Sequence, residues 1–389
     1  MSSREFDVVI VGGGLVGLSL ARALAGSGLR LAVVERTDLP AEAPDGWDAR
    51  VYAISPASEA LLRGLNAWPV QTDRLTPVTQ MRVFGDYGES ELTFSAYEAH
   101  VAHLATIIES ATLATALHGA LRGQSDFTFV NPARCTKVVW NSARAVLELD
   151  NGDALAAKLL VAADGADSWL RTEAGLAAEE SSYGQTGVVA NFSTAQPHRG
   201  TAFQWFRADG VLALLPLPGD RVSMVWSAQQ ALADRLLSLD AAELCTEVAS
   251  ASKNAVSALA LITPAVGFPL RLIRVPRLVA PRLALVGDAA HNLHPLAGQG
   301  VNLGFQDARE LASVLLARGP QPDVGALSLL RRYERARRED ILAMTAATHG
   351  LQRLFNNSVA PLAWLRNLGL DLTNRLTPIK TLLVKHALG

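Results

Sequence analysis

Gly12-Gly-Gly14-Leu-Val-Gly17 has the spacing G-x-G-x-x-G, which suits one task above others, the holding of a dinucleotide. Gly12 would permit a tight turn, Gly14 would let the backbone approach a pyrophosphate, and Gly17 would let a helix pack closely on a strand. The positive end of that helix would meet the phosphate charge. About 20 residues on, Glu35 can accept hydrogen bonds from a ribose hydroxyl, which favours an unphosphorylated adenosine such as that of FAD or NAD. Two further glycine-carboxylate pairs follow, Asp164-Gly165 and Gly287-Asp288. An Asp-Gly pair is also a common ordinary turn, so Asp164 by itself fits either role.

The elements needed to position these residues are legible around them. Asp7-Val-Val-Ile-Val11 is apolar and β-branched, as a parallel strand buried on both faces requires. Leu15, Leu18, Leu20 and Leu24 then recur at roughly helical spacing, and residues 31–34 give a second strand ending at Glu35. Residues 159–163 and 283–286 repeat the buried-strand signature, each running into one of the glycine-carboxylate pairs. Ligands of open α/β sheets bind outside the carboxyl ends of the strands, so three such ends in one sheet would converge on one ligand.

Between these segments the text changes. Residues 203–206, 211–215 and 222–226 read as aromatic and branched strands, with Pro218-Gly219-Asp220 as a turn. Asp240 with Glu243 reads as a helix-capping pair, as does Ser55 before Pro56, and residues 266–275 return to strand. The expected class is α/β: a discontinuous Rossmann-like domain (residues 1–75, 100–181 and 276–345), an inserted, mainly antiparallel β domain (76–99 and 182–275), and a helical C-terminal segment (346–389). Arg331 to Asp340 reads as a solvated, salt-bridged helix face.

Composition narrows the function. The 389 residues are 49% hydrophobic and 19% charged, which supports a large interior, and a net charge of −2 with no long run of like charge argues against a nucleic-acid partner. Cys135 and Cys245 are too far apart for a paired zinc spacing and read as buried fillers. Glu5, Asp7 and the triple glycine argue against a secretion signal near the N-terminus, and about 18 uncharged apolar residues run together nowhere else, so a cytoplasmic protein is expected.

The later motifs carry a resemblance. Ala163-Asp-Gly-Ala-Asp-Ser-Trp-Leu-Arg171, and Leu285-Val-Gly-Asp-Ala-Ala-His-Asn-Leu-His-Pro-Leu-Ala-Gly-Gln-Gly-Val-Asn-Leu-Gly304, are similar to the Asp-Gly and Gly-Asp motifs of the FAD-dependent aromatic hydroxylases. More narrowly, the chain resembles the class A flavoprotein monooxygenases of ubiquinone biosynthesis, including Leu354-Phe-Asn-Asn-Ser-Val-Ala-Pro-Leu362 and Arg366-Asn-Leu-Gly369 near its end. Asp48-Ala-Arg50 resembles the family's Asp-x-Arg segment, which implies that Arg50 sits at the flavin diphosphate; a surface arginine is the alternative. The family's Asp-Gly motif contacts FAD and is implicated in use of reduced nicotinamide, and this role carries over to Asp164. Arg171 fits that motif or a simple carboxylate pair. Many relatives carry arginine, glutamine or asparagine at the start of the helix around residues 109–117, where this chain has Ser110.

The chemistry of the Gly-Asp motif agrees. Gly287 and Asp288 end a strand, and Asp288 can accept a hydrogen bond from a ribityl hydroxyl, which nicotinamide dinucleotides lack. Gly298 and Gly300 remove side chains from a turn that must lie against a flat ring. A helix starting near Gly300, with Val301 and Asn302 in its first turn, would aim its positive end at the ring's N1 and C2 carbonyl. His291 and His294 flank the loop without a ligand cluster, so no metal is expected. The resemblance implies that His294 and Pro295 face the ring, as weak catalytic candidates, with a backbone-bonded loop histidine as the alternative.

The resemblance implies insertion of one oxygen atom from O2 into the ring of a polyprenyl phenol or quinol through a flavin C4a-hydroperoxide, with FAD as cofactor and NAD(P)H as electron donor. The alternatives are a reductase or dehydrogenase on the same scaffold, or a non-catalytic flavin-binding subunit working with other quinone-biosynthesis proteins. From Leu351 onward five cations (Arg353, Arg366, Arg375, Lys380 and Lys385) face one acid, Asp371, among interleaved leucines. That pattern fits a peripheral contact with the inner membrane, or ordinary core packing.

Overall fold

The computed structural model describes residues 3–38, 45–69, 72–85, 91–256, 258–293, 300–319 and 323–355. His294, Pro295, Gly298 and most of the 346–389 segment lie outside the described residues.

Strand Arg4–Val11 is the centre of an eight-stranded sheet. It pairs in parallel with Leu31–Val34 on one side and Ala154–Ala162 on the other, and Leu283–Leu285 pairs in parallel beyond Ala154–Ala162. Val8, Val9 and Ile10 have no exposed surface and lie inside the main core, so the strand, buried on both faces, needs no polar alternation. Parallel neighbours end on the same edge. Backbone bonds continue that alignment past the strands: Gly12 N donates to Val34 O, Ala163 N to Val11 O, and Val286 N to Ala162 O, at 2.8–3.0 Å. The three glycine-carboxylate turns therefore stand side by side.

A second, nine-stranded sheet joins Glu179–Thr194, Thr201–Arg207, Gly210–Leu217, Arg221–Gln229 and Val266–Arg274 to Gln80–Phe84 and Glu91–Ser95. Its pairings are antiparallel except that of Thr201–Arg207 with Gln80–Phe84. Val188, Ala190 and Phe192 alternate onto one face with Val222, Met224 and Trp226, and that face is buried with Ala233, Leu236, Leu244 and Val248 of helices Gln230–Ser238 and Ala241–Ala251. Asp240 and Glu243 form the expected capping box on the second helix.

Three expectations change. Leu75–Val78 does not join the large sheet; it pairs with Ala105–Glu109, which also pairs with Val51–Ile54, in a separate three-stranded sheet. The chain passes from one sheet to the other at Thr79, whose N–H is held by Gly200 O at 2.9 Å. Second, the 331–340 segment is not a wholly solvated face: Tyr333 is fully buried and Arg337 is 2% exposed. Tyr333 donates to Leu285 O at 2.8 Å, and Arg337 reaches a carboxylate inside the core. Third, both cysteines are half-buried rather than buried; burial and nearby carboxylates push the Cys135 thiol up to about 12.

Candidate cofactor site

At the first strand end, Gly12 has φ +110° and a Cβ there would stand 2.2 Å from Ala163 O, so only glycine makes this turn. Gly17 lies so close beneath it that a Cβ would come within 2.1 Å of Gly12 O. Gly14 differs. It caps helix Leu15–Leu24 in ordinary extended geometry, and a Cβ there would meet nothing within 4 Å. The space above the helix start is open, where an anion would gain from the unbonded N–H groups. Glu35 stands beside it, with Oε2 accepting from Gly13 N at 2.7 Å and Oε1 from Thr37 N at 3.0 Å.

Asp164 is engaged locally. Oδ1 accepts from Ser168 Oγ at 2.5 Å and Oδ2 from Leu170 N at 3.1 Å, at the start of helix Trp169–Glu173. Burial raises its carboxyl above the ordinary range, against the lowering by those donors. Arg171, 4% exposed, donates to Ala166 O and Ala289 O, each at 3.0 Å, while its nearest carboxylate, Glu180, is 3.8 Å away. Its main role is thus to tie the Asp-Gly turn to the Gly-Asp turn, with carbonyls as the closer partners.

Asp288 projects from that second turn. Its surface is reached by water, yet protein surrounds it on most sides, the condition of a carboxyl on the floor of a cleft. That enclosure raises its pKa, while His291 and Arg50 pull it down and Asp307 adds to the rise. Gly287, with φ +60°, packs on Val16 of the first helix.

Arg50 is exposed near Asp288, its guanidinium carbon 5.8 Å from the centroid of the Phe268 ring in the large sheet. Its backbone is fixed by the Asp48-x-Arg50 segment itself. Asp48 Oδ1 accepts from Arg50 N at 2.9 Å, Oδ2 accepts from Ala111 N at 3.1 Å, and Arg50 O accepts from Ser110 N at 2.9 Å. Glu109 closes the arrangement by accepting from Asp48 N at 2.6 Å and pairing with Arg74.

Asn302 is 1% exposed, and its side chain joins two elements: Oδ1 accepts from Ser55 N at 2.9 Å and Nδ2 donates to Ala53 O at 2.8 Å. Val301 is half-buried against the main core.

Three residues, Tyr52, Asp307 and Arg337, escaped the sequence reading of the site. Tyr52 hydrogen-bonds Ser110 and Arg50, and its hydroxyl is raised chiefly by burial, with Asp288 adding to the rise against Arg50. It places a phenol beside Ser110, at the start of helix Ser110–Leu121. Asp307, in helix Gly300–Leu316, has no exposed surface and accepts from Gly287 N, His291 Nε2 and Arg337 Nε at 2.9, 2.6 and 2.8 Å. The usable signal was spacing, since Leu303, Asp307 and Leu311 lie at i, i+4 and i+8 and place a carboxylate in an apolar stripe.

Among the described residues no cluster of three or more His, Cys, Asp or Glu could hold a metal, and no helix is long and apolar enough to cross a membrane. A separate depression of about 490 Å³ lies at the opposite edge of the parallel sheet, beside Arg30, Arg144, Lys158 and Arg282. Each of those cations has a carboxylate partner, so none is free to hold an anion there.

Comparison with known proteins agrees with this geometry. A family model described as FAD binding domain matches residues 5–348. Ubiquinone hydroxylase UbiL of Rhodospirillum rubrum is 37% identical over 389 residues, covering 100% of this chain and 90% of the relative. The 3-demethoxyubiquinol 3-hydroxylase of Escherichia coli is 35% identical over 394 residues, covering all of both chains. The mitochondrial ubiquinone biosynthesis monooxygenase COQ6 of Danio rerio is 32% identical, covering 98% of this chain and 89% of the relative. Among solved structures, p-nitrophenol 4-monooxygenase PnpA from Pseudomonas putida superposes with a TM-score of 0.80 at 18% identity, over 100% of this chain and 99% of that one. PqsL from Pseudomonas aeruginosa, a probable FAD-dependent monooxygenase, gives 0.78 at 22% identity over 94% and 99%. At those identities the likeness is one of fold. With three aligned strand-end turns, and a family match over nearly the whole chain, the protein belongs to the FAD binding domain family.

Proposed function

We propose that this protein is an FAD-dependent monooxygenase that hydroxylates the ring of a polyprenyl phenol or quinol in ubiquinone biosynthesis. The observation that carries the reading is kinship along the full chain, at 32–37% identity, with three proteins named for ubiquinone hydroxylation or biosynthesis. FAD, when bound and reduced by a two-electron donor such as NAD(P)H, would pass those electrons to O2 and so activate it.

The chain's own residues would do the rest. The Gly12 to Gly14 turn and the helix start would take the diphosphate with Arg50, Glu35 a ribose hydroxyl, and Asp288 the ribityl chain. Gly300, Val301 and Asn302 would offer backbone N–H groups to the ring, and Asp164 would hold its turn against the cofactor. Residues 1–75, 100–181 and 276–345 would form the cofactor-binding body, and the large sheet would cover the reacting ring.

The inner face of that sheet suits an apolar substrate. Val189, Val225 and Ala213 are directly paired across three central strands and point away from the helix-covered face. Asn191, on the same side, donates to Asp48 O at 2.8 Å, so this face is turned toward the Asp48-x-Arg50 segment. Ala213 and Val225 nevertheless remain half-buried there. Small apolar side chains would exclude water from the reacting ring while leaving it room.

We further propose NAD(P)H as the donor, and a peripheral membrane contact through the cationic 346–389 segment, because a polyprenyl tail holds the substrate in lipid. Flotation with anionic liposomes at low salt is expected to carry the intact chain but not one truncated after Leu370. An intact chain that stays in the soluble fraction would overturn the contact. The activity is tested by mass spectrometry of quinone intermediates in a deletion strain. The expected product is a prenylated precursor lacking one ring hydroxyl, and an unchanged quinone profile would contradict the proposal.

A further inference from the structure

We infer that Asp307 is a positioning residue for the cofactor turn, acting through Gly287 and His291, and that Arg337 couples the helix Leu327–Phe355 to cofactor binding through it. The inference uses the family's FAD site and does not depend on the identity of the substrate.

One oxygen of Asp307 holds both ends of the turn that carries Asp288. Oδ2 accepts from the backbone N–H of Gly287 at 2.9 Å and faces the ring Nε2 of His291 at 2.6 Å. Between these two pins, Arg171 holds Ala289 O at 3.0 Å. Asp288 therefore has its place in the cleft set by residues it does not touch. His291 also lies in the short strand His291–Asn292, which pairs with Ile273 and Arg274, so the same oxygen ties the cofactor turn to the large sheet.

The other oxygen belongs to the last described helix. Arg337 Nε donates to Asp307 Oδ1 at 2.8 Å, and its remaining nitrogens reach Asp340 Oδ2 at 2.6 Å, Gln306 Oε1 at 3.3 Å and Leu303 O at 3.4 Å. One turn earlier, Tyr333 donates to Leu285 O, two residues before Gly287. The helix thus grips the Gly-Asp strand at one point and the carboxylate beneath its turn at another.

A buried set of this kind needs its partners. Asp307, Arg337 and His291 are each no more than 3% exposed, and charged groups in that position are costly unless fully bonded. An apolar trio of equal volume would dock the helix as firmly. The charged set adds direction, since each bond selects a particular atom of the turn. A ligand that holds Asp288 in one place favours the same arrangement that Arg337 holds, and the coupling must then act equally in both directions.

The test uses the full-length protein and FAD. Arg337→Gln is expected to weaken FAD binding about tenfold, and Arg337→Lys, which keeps the charge, by less. Asp323→Asn, which breaks the ion pair with Arg282 at the far edge of the sheet, is expected to lower Tm without changing FAD affinity. In the wild type, FAD should slow amide hydrogen exchange across residues 327–346. If Arg337→Gln binds FAD like the wild type, or weakens it no more than Asp323→Asn does, the positioning role is overturned. If exchange in that helix is indifferent to FAD in the wild type, the coupling is overturned, and this holds even where a variant does not fold.

Discussion

Replacing Gly14 with valine is expected to yield a folded protein that no longer retains FAD. The three glycines of the fingerprint differ in what a side chain would strike. At Gly12 and Gly17 a Cβ would sit 2.2 and 2.1 Å from backbone oxygens, so substitution there disrupts the turn itself. At Gly14 a Cβ meets nothing within 4 Å, and φ is −73°, a conformation open to any residue. The space it would enter is the one proposed for the diphosphate. Asp288→Ala should act through a single contact. A hydrogen bond to a charged group contributes about 1.5–3 kcal/mol, so its loss should weaken FAD at least about tenfold with the fold intact. Both are read by flavin titration alongside circular dichroism. Retained flavin in a folded Gly14→Val variant would remove the assignment of this loop, and unchanged affinity in Asp288→Ala would remove that of the Gly-Asp turn.

Asp307→Ala should be the most destabilising single change considered. It leaves the buried Arg337 and His291 facing each other without their carboxylate, and breaking a buried pair in this way costs about 3–5 kcal/mol. A denaturation midpoint close to the wild type would contradict the network. Acid should reveal the same group. Burial alone would raise the Asp307 carboxyl, but His291 and Arg337 outweigh it and hold it below its ordinary value. A carboxyl lowered in the folded state contributes stability that is complete above the unfolded value, about pH 3.9, and is lost as pH falls through the folded value. The stability gap between wild type and Asp307→Asn should therefore be widest near neutrality and close below about pH 4. A gap that widens toward acid would reverse the sign and refute the assignment.

The strand-end turns of the candidate site were legible where their signals are local. The G-x-G-x-x-G turn, Glu35 at the next strand end and the Gly-Asp pair each lie within a few residues of the element that positions them, and buried parallel strands announce themselves as unbroken apolar runs. What pairing decides was less legible. The stretch 76–99 reads whole as part of the inserted domain, but the partner of Leu75–Val78, Ala105–Glu109, is about 30 residues away, and no property of the four residues selects it over the large sheet. Arg337 was hidden by its neighbours. In a stretch with Arg331, Arg332, Arg335 and Arg338 exposed, one more arginine looks like surface. Its stripe shows the difference, since Leu329, Tyr333 and Arg337 are spaced four apart and all are buried. The Tyr52–Ser110 hydrogen bond was hidden because the two residues sit on separate elements and are distant in sequence.

On the proposed function, the protein transfers an oxygen atom from O2 to a prenylated ring. The direct measurement is a single-turnover reaction of the purified, FAD-loaded, reduced protein with a short-chain prenylphenol under 18O2, read by mass spectrometry. The expected product is a ring-hydroxylated prenylphenol carrying one 18O atom, with none incorporated from 18O-labelled water. Reoxidation of the flavin with the prenylphenol recovered unchanged, or a hydroxyl whose oxygen comes from water, would contradict it.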